Sequence, residues 1–256
     1  MPKKTTIAAA AAVWLLVTVA GAAPALAQAK TTRPPSQPNT ILNLLAALLK
    51  SPSTTAPPPP TTTTTTIAVQ NLDVGASGPA VKLLEQRLDA LHYFVGALDD
   101  KYDDDTFQAV MAFQKVNRLK RTGTVDASLW GAMQTATDPQ PLVPEGGAHR
   151  VEIDLGRQVL MLYTGNQVSK IIAVSSGTSA TPTPTGDYKI YSQSVGWETS
   201  ALGQLYNSQY FVGGYAIHGS RSVPEKPASH GCVRIPMTAA DWFPDQVHIG
   251  TPVYIR

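Results

Sequence analysis

A proline- and threonine-rich tract near the start of the chain restricts most strongly what this sequence can fold into. Residues 51–66 include four consecutive prolines followed by six consecutive threonines. Such a stretch lacks the large apolar side chains that a core needs, and its prolines favour extended polyproline II. We interpret residues 28–67 as a linker and expect the folded domains after it. A short apolar patch at residues 41–49 interrupts the linker, and its role stays open.

The segment before the linker has the order of a targeting signal. Lys3 and Lys4 precede an uncharged apolar stretch of 17 residues from Ile7 to Ala23, and a small-x-small pattern follows at residues 25–27. We therefore predict a secretory signal peptide over residues 1–27. An uncleaved anchor is the alternative, because the stretch reaches the lower limit of a spanning helix, about 17–25 residues. In either case we expect export to the periplasm or cell wall.

The charge of the chain argues against a nucleic-acid partner. The net charge is +2, and lysines and arginines are adjacent only in pairs. Binding of nucleic acid needs a dense basic face that neutralises several phosphates. We expect no nucleic-acid partner, and contact with a membrane only through the signal segment if it is not cleaved.

Residues 68–136 have the apolar spacing of a small helical domain. After a turn at residues 77–79, the first predicted helix carries apolar side chains at helical intervals. These residues are Val81, Leu84, Leu88 and Leu91. A second helix is predicted with Asp105 as its N-cap residue, because an aspartate can accept hydrogen bonds from the first free N–H groups. A third short helix is predicted from Ala127 to Met133.

After a second linker at residues 137–148, the pattern changes to strands over residues 149–256. Apolar residues first alternate with polar ones and then form continuous apolar runs between turns. Strands are predicted near residues 151–155, 159–163, 171–174, 188–191, 215–218 and 253–255. Thr238 is expected to cap one helix. The predicted fold class is α+β, with a small three-helix bundle followed by a mainly β catalytic domain that has one short helix.

The single cysteine of the chain, Cys232, lies among residues that suit nucleophilic chemistry. It follows Ser229-His230-Gly231, and His218-Gly219 precedes that string. A lone cysteine in an exported chain pairs with another molecule, packs as a small apolar residue or serves as a reactive thiol. A neighbouring imidazole favours the third interpretation, because it can take the thiol proton and stabilise the thiolate.

The residues around Cys232 also suit an acyl-transfer site. Backbone N–H groups near His230, Gly231 and Cys232 can bind the oxyanion of a tetrahedral intermediate. Arg234 can hold a substrate carboxylate with two parallel hydrogen bonds. A pairing of one histidine with one cysteine is a weak signal, whereas the longer string of residues is much more specific.

The string from Ser229 to Arg234, with His218-Gly219 before it, resembles the signature of the L,D-transpeptidase family. Residues 176–190 and Arg157-Gln158 resemble the same family, and this likeness covers about residues 149–256. The helical segment resembles a three-helix peptidoglycan-binding domain. The residues that carry the second likeness include Gly75, Gly78-Pro79, Phe113-Gln114, Val125-Asp126 and Leu129-Trp130.

The resemblance implies an exported enzyme that forms 3→3 cross-links in peptidoglycan, with stem peptides and glycan as partners and with no metal or other cofactor. Cys232 would attack the peptide bond after the third residue of a tetrapeptide stem, which releases D-alanine and leaves a thioester on the cysteine. The side-chain amine of a second stem would then accept the acyl group from this thioester. His218 would be the base and then the acid, oriented by the backbone carbonyl of Gly219. The residues implied to support nucleophile and substrate are Ser229, His230, Gly231 and Arg234.

Other functions were open to the same residues. An L,D-carboxypeptidase or a D-amino-acid exchange enzyme would share the first half-reaction, and a non-catalytic wall-binding module would need only the helical domain. A zinc hydrolase could use His218, His230 and Cys232, but the chain has no His-Glu-x-x-His and no Cys-x-x-Cys motif. A serine enzyme of the penicillin-binding type needs Ser-x-x-Lys, which the chain lacks.

Overall fold

The computed structural model describes residues 70–256. The predicted signal peptide, the linker at residues 28–67 and the apolar patch at residues 41–49 lie outside the described residues. Within residues 70–256, three helices come first, and ten strands with one further short α-helix follow. This order confirms the predicted α+β fold class.

The helices lie at Pro79–Ala90 (α1), Asp104–Val116 (α2) and Ala127–Thr135 (α3). α1 begins with a proline, whose fixed φ suits the first helical position. Its lack of an N–H costs nothing there, because the N–H groups of the first turn have no partner within the helix. α3 is capped by Asp126, whose carboxylate accepts a hydrogen bond from the Leu129 N–H at 2.8 Å. No helix within residues 70–256 is both long and apolar enough to span a membrane.

The N-cap of α2 is Asp103, so the prediction of Asp105 for this position is wrong. The Asp103 carboxylate accepts hydrogen bonds from the N–H groups of Asp105 (3.0 Å) and Thr106 (3.1 Å). Three aspartates occupy positions 103–105, and the capping residue is the one with extended backbone dihedrals. The choice among them depends on where the preceding turn ends, which the local sequence does not specify.

Two five-stranded sheets form the rest of the described chain. Their strands are β1 (His149–Asp154), β2 (Val159–Thr164), β3 (Gln167–Ala173), β4 (Gly186–Lys189), β5 (Ser192–Gln193), β6 (Trp197–Ser200), β7 (Gly203–Val212), β8 (Tyr215–Gly219), β9 (Val233–Ile235) and β10 (Pro252–Ile255). The first sheet has the order β3-β2-β1-β10-β4. The second has the order β5-β7-β8-β9, with β6 also paired to β7.

The first sheet is the middle layer of the described structure, as the burial of β2 shows. Val159, Met161 and Tyr163 pack in one core cluster with the helices. Leu160 and Leu162 pack in a second cluster with residues of the second sheet. Side chains alternate between the two faces along a strand, so both faces of β2 are covered. This double burial explains why β2 reads as a continuous apolar run.

A buried carboxylate holds the segment between α3 and β1 against the first sheet. Glu152 accepts hydrogen bonds from the N–H groups of Leu142 (2.6 Å) and Val143 (3.4 Å) and pairs with the Arg150 guanidinium at 2.7 Å. The side chains of Arg150 and Glu152 are 1% and 0% exposed, so each charge depends on the other for compensation. The predicted domain boundaries around residues 137–148 stay a prediction.

The sequence pattern did not reveal the hairpin formed by β6 and β7. Asn207, Ser208 and Gln209 in the middle of β7 are buried although they are polar. They interrupt the apolar alternation by which a half-buried strand is recognised. The strand predicted at residues 188–191 is also shifted, because β4 covers Gly186–Lys189 and ends there.

The helix α4 (Met237–Trp242) follows β9, and the prediction that Thr238 caps it is wrong. Pro236 occupies the N-cap position, and no side chain caps the helix. Thr238 lies in the first turn, where its hydroxyl donates a hydrogen bond to the Asp105 carboxylate of α2. This contact joins two segments that are far apart in sequence, so no local signal indicates it.

Candidate active site

His218 is a buried residue near the end of β8, with only 5% of its surface exposed. Its Nδ1 lies 2.9 Å from the carbonyl oxygen of Gly219. A carbonyl can only accept a hydrogen bond, so Nδ1 carries the proton of the neutral ring and donates it. The unprotonated nitrogen is therefore Nε2, the form that a general base requires.

The parallel pairing of β8 with β9 brings Cys232 to the same place. Ile217 is opposite Val233, and His218 is opposite Arg234. Val233 points into the core, so the alternation of side chains sends Cys232 and Arg234 to the other face. Cys232, His218 and Arg234 line one cavity of about 400 Å³.

The turn that precedes Cys232 is fixed by hydrogen bonds to the Ser229 hydroxyl. Ser229 Oγ donates to the carbonyl of Cys232 at 2.5 Å and accepts from the Gly231 N–H at 3.0 Å. From the other side, Thr183 Oγ1 donates to the Gly231 carbonyl at 2.8 Å and accepts from the Gly177 N–H at 2.9 Å. The cysteine backbone is therefore held in one position before any substrate arrives.

Gly231 is required in this turn for two independent reasons. Its φ of +116° lies in a region that residues with a Cβ rarely adopt. In addition, a Cβ at this position would lie 2.3 Å from Cε1 of Tyr215. Tyr215 therefore packs against the turn that precedes Cys232.

Burial disfavours the charged forms of Cys232 and His218. It raises the pKa of the Cys232 thiol, against smaller opposing effects of a backbone hydrogen bond with Ala216 and the charge of Arg234. Burial also lowers the pKa of His218, opposed by the Gly219 carbonyl and assisted by Arg234. Both shifts favour the neutral forms of these two groups, because burial disfavours charge on either of them.

The structure places the remaining site residues of the sequence analysis around this cavity. Ser229, His230 and Arg234 line it, and Gly219 and Gly231 act through their backbone groups. His230 is exposed at the rim. The Arg234 guanidinium forms no hydrogen bond or ion pair with any of residues 70–256, so it is available to a ligand. The Gly231 N–H, in contrast, is already engaged by Ser229.

One wall of the cavity comes from residues that the sequence analysis did not identify. The hairpin of β6 and β7 contributes Ser200–Leu205, and Leu202 at its tip is 68% exposed. Tyr210 also lines the cavity, and its hydroxyl donates to Glu198 at 3.1 Å. Tyr206 instead donates to Asp241. The missed strand β7 explains why this wall was not predicted.

Within residues 70–256, no three His, Cys, Asp or Glu side chains lie together in a way that could hold a metal ion. The cavity is lined by the thiol of Cys232, the buried imidazole of His218, the exposed imidazole of His230 and the guanidinium of Arg234. Such a set suits acyl transfer, in which the thiol attacks, the buried imidazole moves protons and the guanidinium binds a carboxylate.

Comparisons with known proteins agree with this arrangement. A family model described as an L,D-transpeptidase catalytic domain matches residues 148–255, and one described as a putative peptidoglycan-binding domain matches residues 77–133. No curated protein gives a significant match.

Among solved structures, an L,D-transpeptidase from Xylanimonas cellulosilytica is 39% identical, with a TM-score of 0.70 over 74% of this chain and 98% of its own. An L,D-transpeptidase from Stackebrandtia nassauensis is 22% identical, with a TM-score of 0.45 over 72% of this chain and 94% of its own. At 39% identity over 98% of the length of the Xylanimonas protein, the first of these two matches shows that the two proteins belong to one family. The chain therefore belongs to the L,D-transpeptidase family and carries a peptidoglycan-binding domain beside its catalytic domain.

Proposed function

We propose that this protein is exported and forms 3→3 cross-links between peptidoglycan stem peptides through a thioester on Cys232. The observation that carries the proposal is that Cys232 and His218 face one cavity while the Gly219 carbonyl fixes Nδ1 of the imidazole. This arrangement leaves Nε2 as the nitrogen that can exchange a proton with the substrate and the thiol. The partners are the stem peptides and the glycan to which they are attached.

In the first half-reaction, Cys232 Sγ attacks the carbonyl carbon that joins the third and fourth residues of the donor stem. The thiol proton passes to Nε2 of His218 as the S–C bond forms. The C–N bond then breaks, and His218 returns the proton to the departing amine of D-alanine. A thioester remains on Cys232, and the imidazole is again neutral.

In the second half-reaction, the side-chain amine of another stem attacks the thioester carbon. His218 accepts a proton from that amine and returns it to the departing sulfur. One peptide bond is broken and one is formed over the cycle, so no external energy source is required. Water or a free D-amino acid in place of the amine gives a carboxypeptidase or an exchange reaction.

Two further groups stabilise the reacting species. The Gly231 N–H is engaged by Ser229 Oγ, so the neighbouring Cys232 N–H is the better candidate for binding the oxyanion. Arg234 binds a carboxylate of the donor stem, because its guanidinium lines the cavity without a partner among residues 70–256. Ser229 contributes by holding the turn rather than by touching the substrate.

Incubation with a disaccharide-tetrapeptide, followed by mass spectrometry, tests the proposal. The wild-type protein should yield a dimer that has lost one D-alanine, and the intact protein should carry a disaccharide-tripeptide adduct on Cys232. Cys232→Ala should give neither product. His218→Asn should lower the rate by at least about a hundredfold, since general acid–base catalysis contributes about 10²–10⁴. The exposed His248→Asn is the matched control and should not lower the rate.

The other outcomes separate the alternatives. Tripeptide without dimer, dependent on Cys232, would assign an L,D-carboxypeptidase. Incorporation of an added D-amino acid would assign exchange. Absence of any Cys232-dependent product would contradict the enzymatic proposal and favour a wall-binding module without catalysis.

A further inference from the structure

A second cleft lies between the helical and β parts of the described chain, away from the cavity of Cys232. Its volume is about 690 Å³. The end of α2 and the loop after it contribute one side, and the turn between β1 and β2 contributes the other. The two cavities share no lining residue.

Positive charge is concentrated in this cleft. Its lining includes the cationic residues Lys115, Arg118, Arg121 and Arg157 and a single carboxylate, that of Asp154. Asp154 is already paired with Arg157, at 3.3 Å from Nη1. The other three cations form no ion pair with a carboxylate within residues 70–256, although the charge of Glu225 acts on Lys115.

The hydrogen bonds that these cations form do not remove their charge. Lys115 Nζ donates to the carbonyl of Val174 at 2.9 Å. Arg121 donates to the carbonyls of Glu225 (2.8 Å) and Arg157 (3.2 Å). A carbonyl is a neutral acceptor, so it satisfies the donor but leaves the positive charge of the Arg121 guanidinium in place. The cleft therefore keeps a field that favours an anion.

Two features of the cleft indicate that the protein compensates its cationic groups incompletely. Burial, assisted by repulsion from Arg121 and opposed by the charge of Glu225, lowers the pKa of Lys115 to about 7. Arg157 Nε is buried and has no hydrogen-bond partner within residues 70–256. A bound carboxylate would compensate both groups, because it attracts the cations and accepts hydrogen bonds.

We propose that this cleft binds a carboxylate of a peptidoglycan stem peptide at a site separate from the catalytic cavity. The proposal rests on the substrate class of the proposed function. The side that contains Lys115, Arg118 and Arg121 belongs to the segment that matches the peptidoglycan-binding family model. A stem peptide combines free carboxylates with the small apolar side chains of alanine, and the cleft provides cations beside Leu119 and Leu142.

The location of this cleft allows it to hold a peptidoglycan strand near the catalytic cavity. Arg121 contacts Glu225 in the segment that leads to Ser229 and Cys232. This contact connects the cleft, through Arg121, to the segment that carries the proposed nucleophile. The bound strand keeps neighbouring stems near the catalytic cavity and raises their effective concentration.

Co-sedimentation of the Cys232→Ala protein with insoluble peptidoglycan tests the proposal without turnover. Three wall preparations are compared: native wall, wall stripped of phosphate polymers with hydrofluoric acid, and stripped wall whose carboxyl groups have been converted to methylamides. Binding to native and stripped wall should be equal, and it should weaken about tenfold or more on the methylamide wall. It should also fall as salt is raised from 50 to about 300 mM, because exposed charges are screened.

Variants locate the binding site within the protein. Arg118→Gln should weaken binding to stripped wall about threefold, and Arg118→Gln combined with Arg157→Gln about tenfold, as expected for contacts of partly exposed charges. Lys82→Gln is the matched control, because Lys82 is an exposed cation of α1 outside the cleft. Thermal unfolding of each variant verifies that it is folded.

Three results would overturn the proposal: equal binding by the Arg118 variants and the control, equal binding to the methylamide wall, or loss of binding on removal of phosphate polymers. The last result would assign the cleft to a phosphate polymer instead. Failure of the proposed function is a different result. It would appear as no Cys232-dependent product from the wild-type protein while carboxylate-dependent binding in the cleft persists.

Discussion

Lys115 of α2 donates a hydrogen bond to the carbonyl of Val174 at 2.9 Å, which joins the helical segment to the β part of the chain. Val174 precedes Ser175, whose backbone N–H and carbonyl pair with the carbonyl and N–H of Arg234. Only two covalently linked residues, Val174 and Ser175, therefore separate a helical side chain from β9, the strand that follows the turn of Cys232. The helical segment therefore supports the strand beside the candidate active site, and it also matches the putative peptidoglycan-binding family model.

The burial of Lys115 predicts a particular dependence of stability on pH. Its pKa is lowered from 10.5 to about 7 in the folded protein, so the unfolded chain binds more protons between these values. The free energy of unfolding should therefore rise with pH above 7, by up to about 1.4 kcal/mol per pH unit from this group. Urea unfolding at pH 7, 8 and 9 measures this rise.

Lys115→Met provides the comparison for that measurement. Methionine fills a similar volume without a titratable group, so the rise between pH 7 and 9 should be smaller in the variant. An equal rise in both proteins would show that Lys115 is not the group responsible. The comparison is confined to pH 9 and below because buried tyrosines such as Tyr102 have raised pKa values and oppose the effect at higher pH.

Gly231→Ala should destabilise the protein and lower activity strongly. The added Cβ meets both a φ of +116° and Cε1 of Tyr215 at 2.3 Å, so the turn before Cys232 must move. Gly250→Ala separates the two effects, because Gly250 has a φ of +101° with open space around its Cβ position. The control should lose about 1–2 kcal/mol of stability from the dihedral alone. Gly231→Ala should lose more, and differential scanning calorimetry would detect the difference.

Ser229→Ala should show how much the preorganised turn contributes. The hydroxyl forms hydrogen bonds to the Cys232 carbonyl and from the Gly231 N–H, and its removal leaves both buried groups without that partner. We expect a loss of about 1–3 kcal/mol in stability, together with a lower rate of Cys232 acylation. The exposed Ser179→Ala is the control. An acylation rate equal to the wild-type value would contradict the positioning role.

Arg234→Lys and Arg234→Gln should affect different kinetic parameters. The charge of Arg234 lowers the pKa of His218, so removal of the charge in Arg234→Gln should raise that pKa. His218 acts as a base only when it is neutral, so the acidic limb of the pH profile should shift to higher pH. Arg234→Lys keeps the charge and should leave the limb in place, but it should raise KM because lysine cannot bind a carboxylate in the bidentate manner of arginine. A profile of kcat/KM from pH 5 to 9 distinguishes them.

The sequence alone was sufficient to predict the features that depend on local or periodic signals. Apolar spacing identified α1, and the Gly78-Pro79 pair marked its start. The string around Cys232 identified the residues that meet in the cavity, because a short turn and one strand hold most of them. The role of His218 as the partner of Cys232 was implied by the resemblance to the L,D-transpeptidase family. The pairing of β8 with β9 explains how His218 and Cys232 come to line one cavity.

The tertiary structure alone decided the features that depend on contacts between distant segments. The hairpin of β6 and β7 was missed because β7 buries polar residues in its middle. One of them, Asn207, is satisfied by the carbonyl of Ala240 in a distant element. The cationic cleft also could not be read from the sequence, since Arg118 and Arg157 meet only when the helices pack on the first sheet. A linear pattern records what each segment prefers locally, whereas burial and electrostatic fields depend on which segments become neighbours.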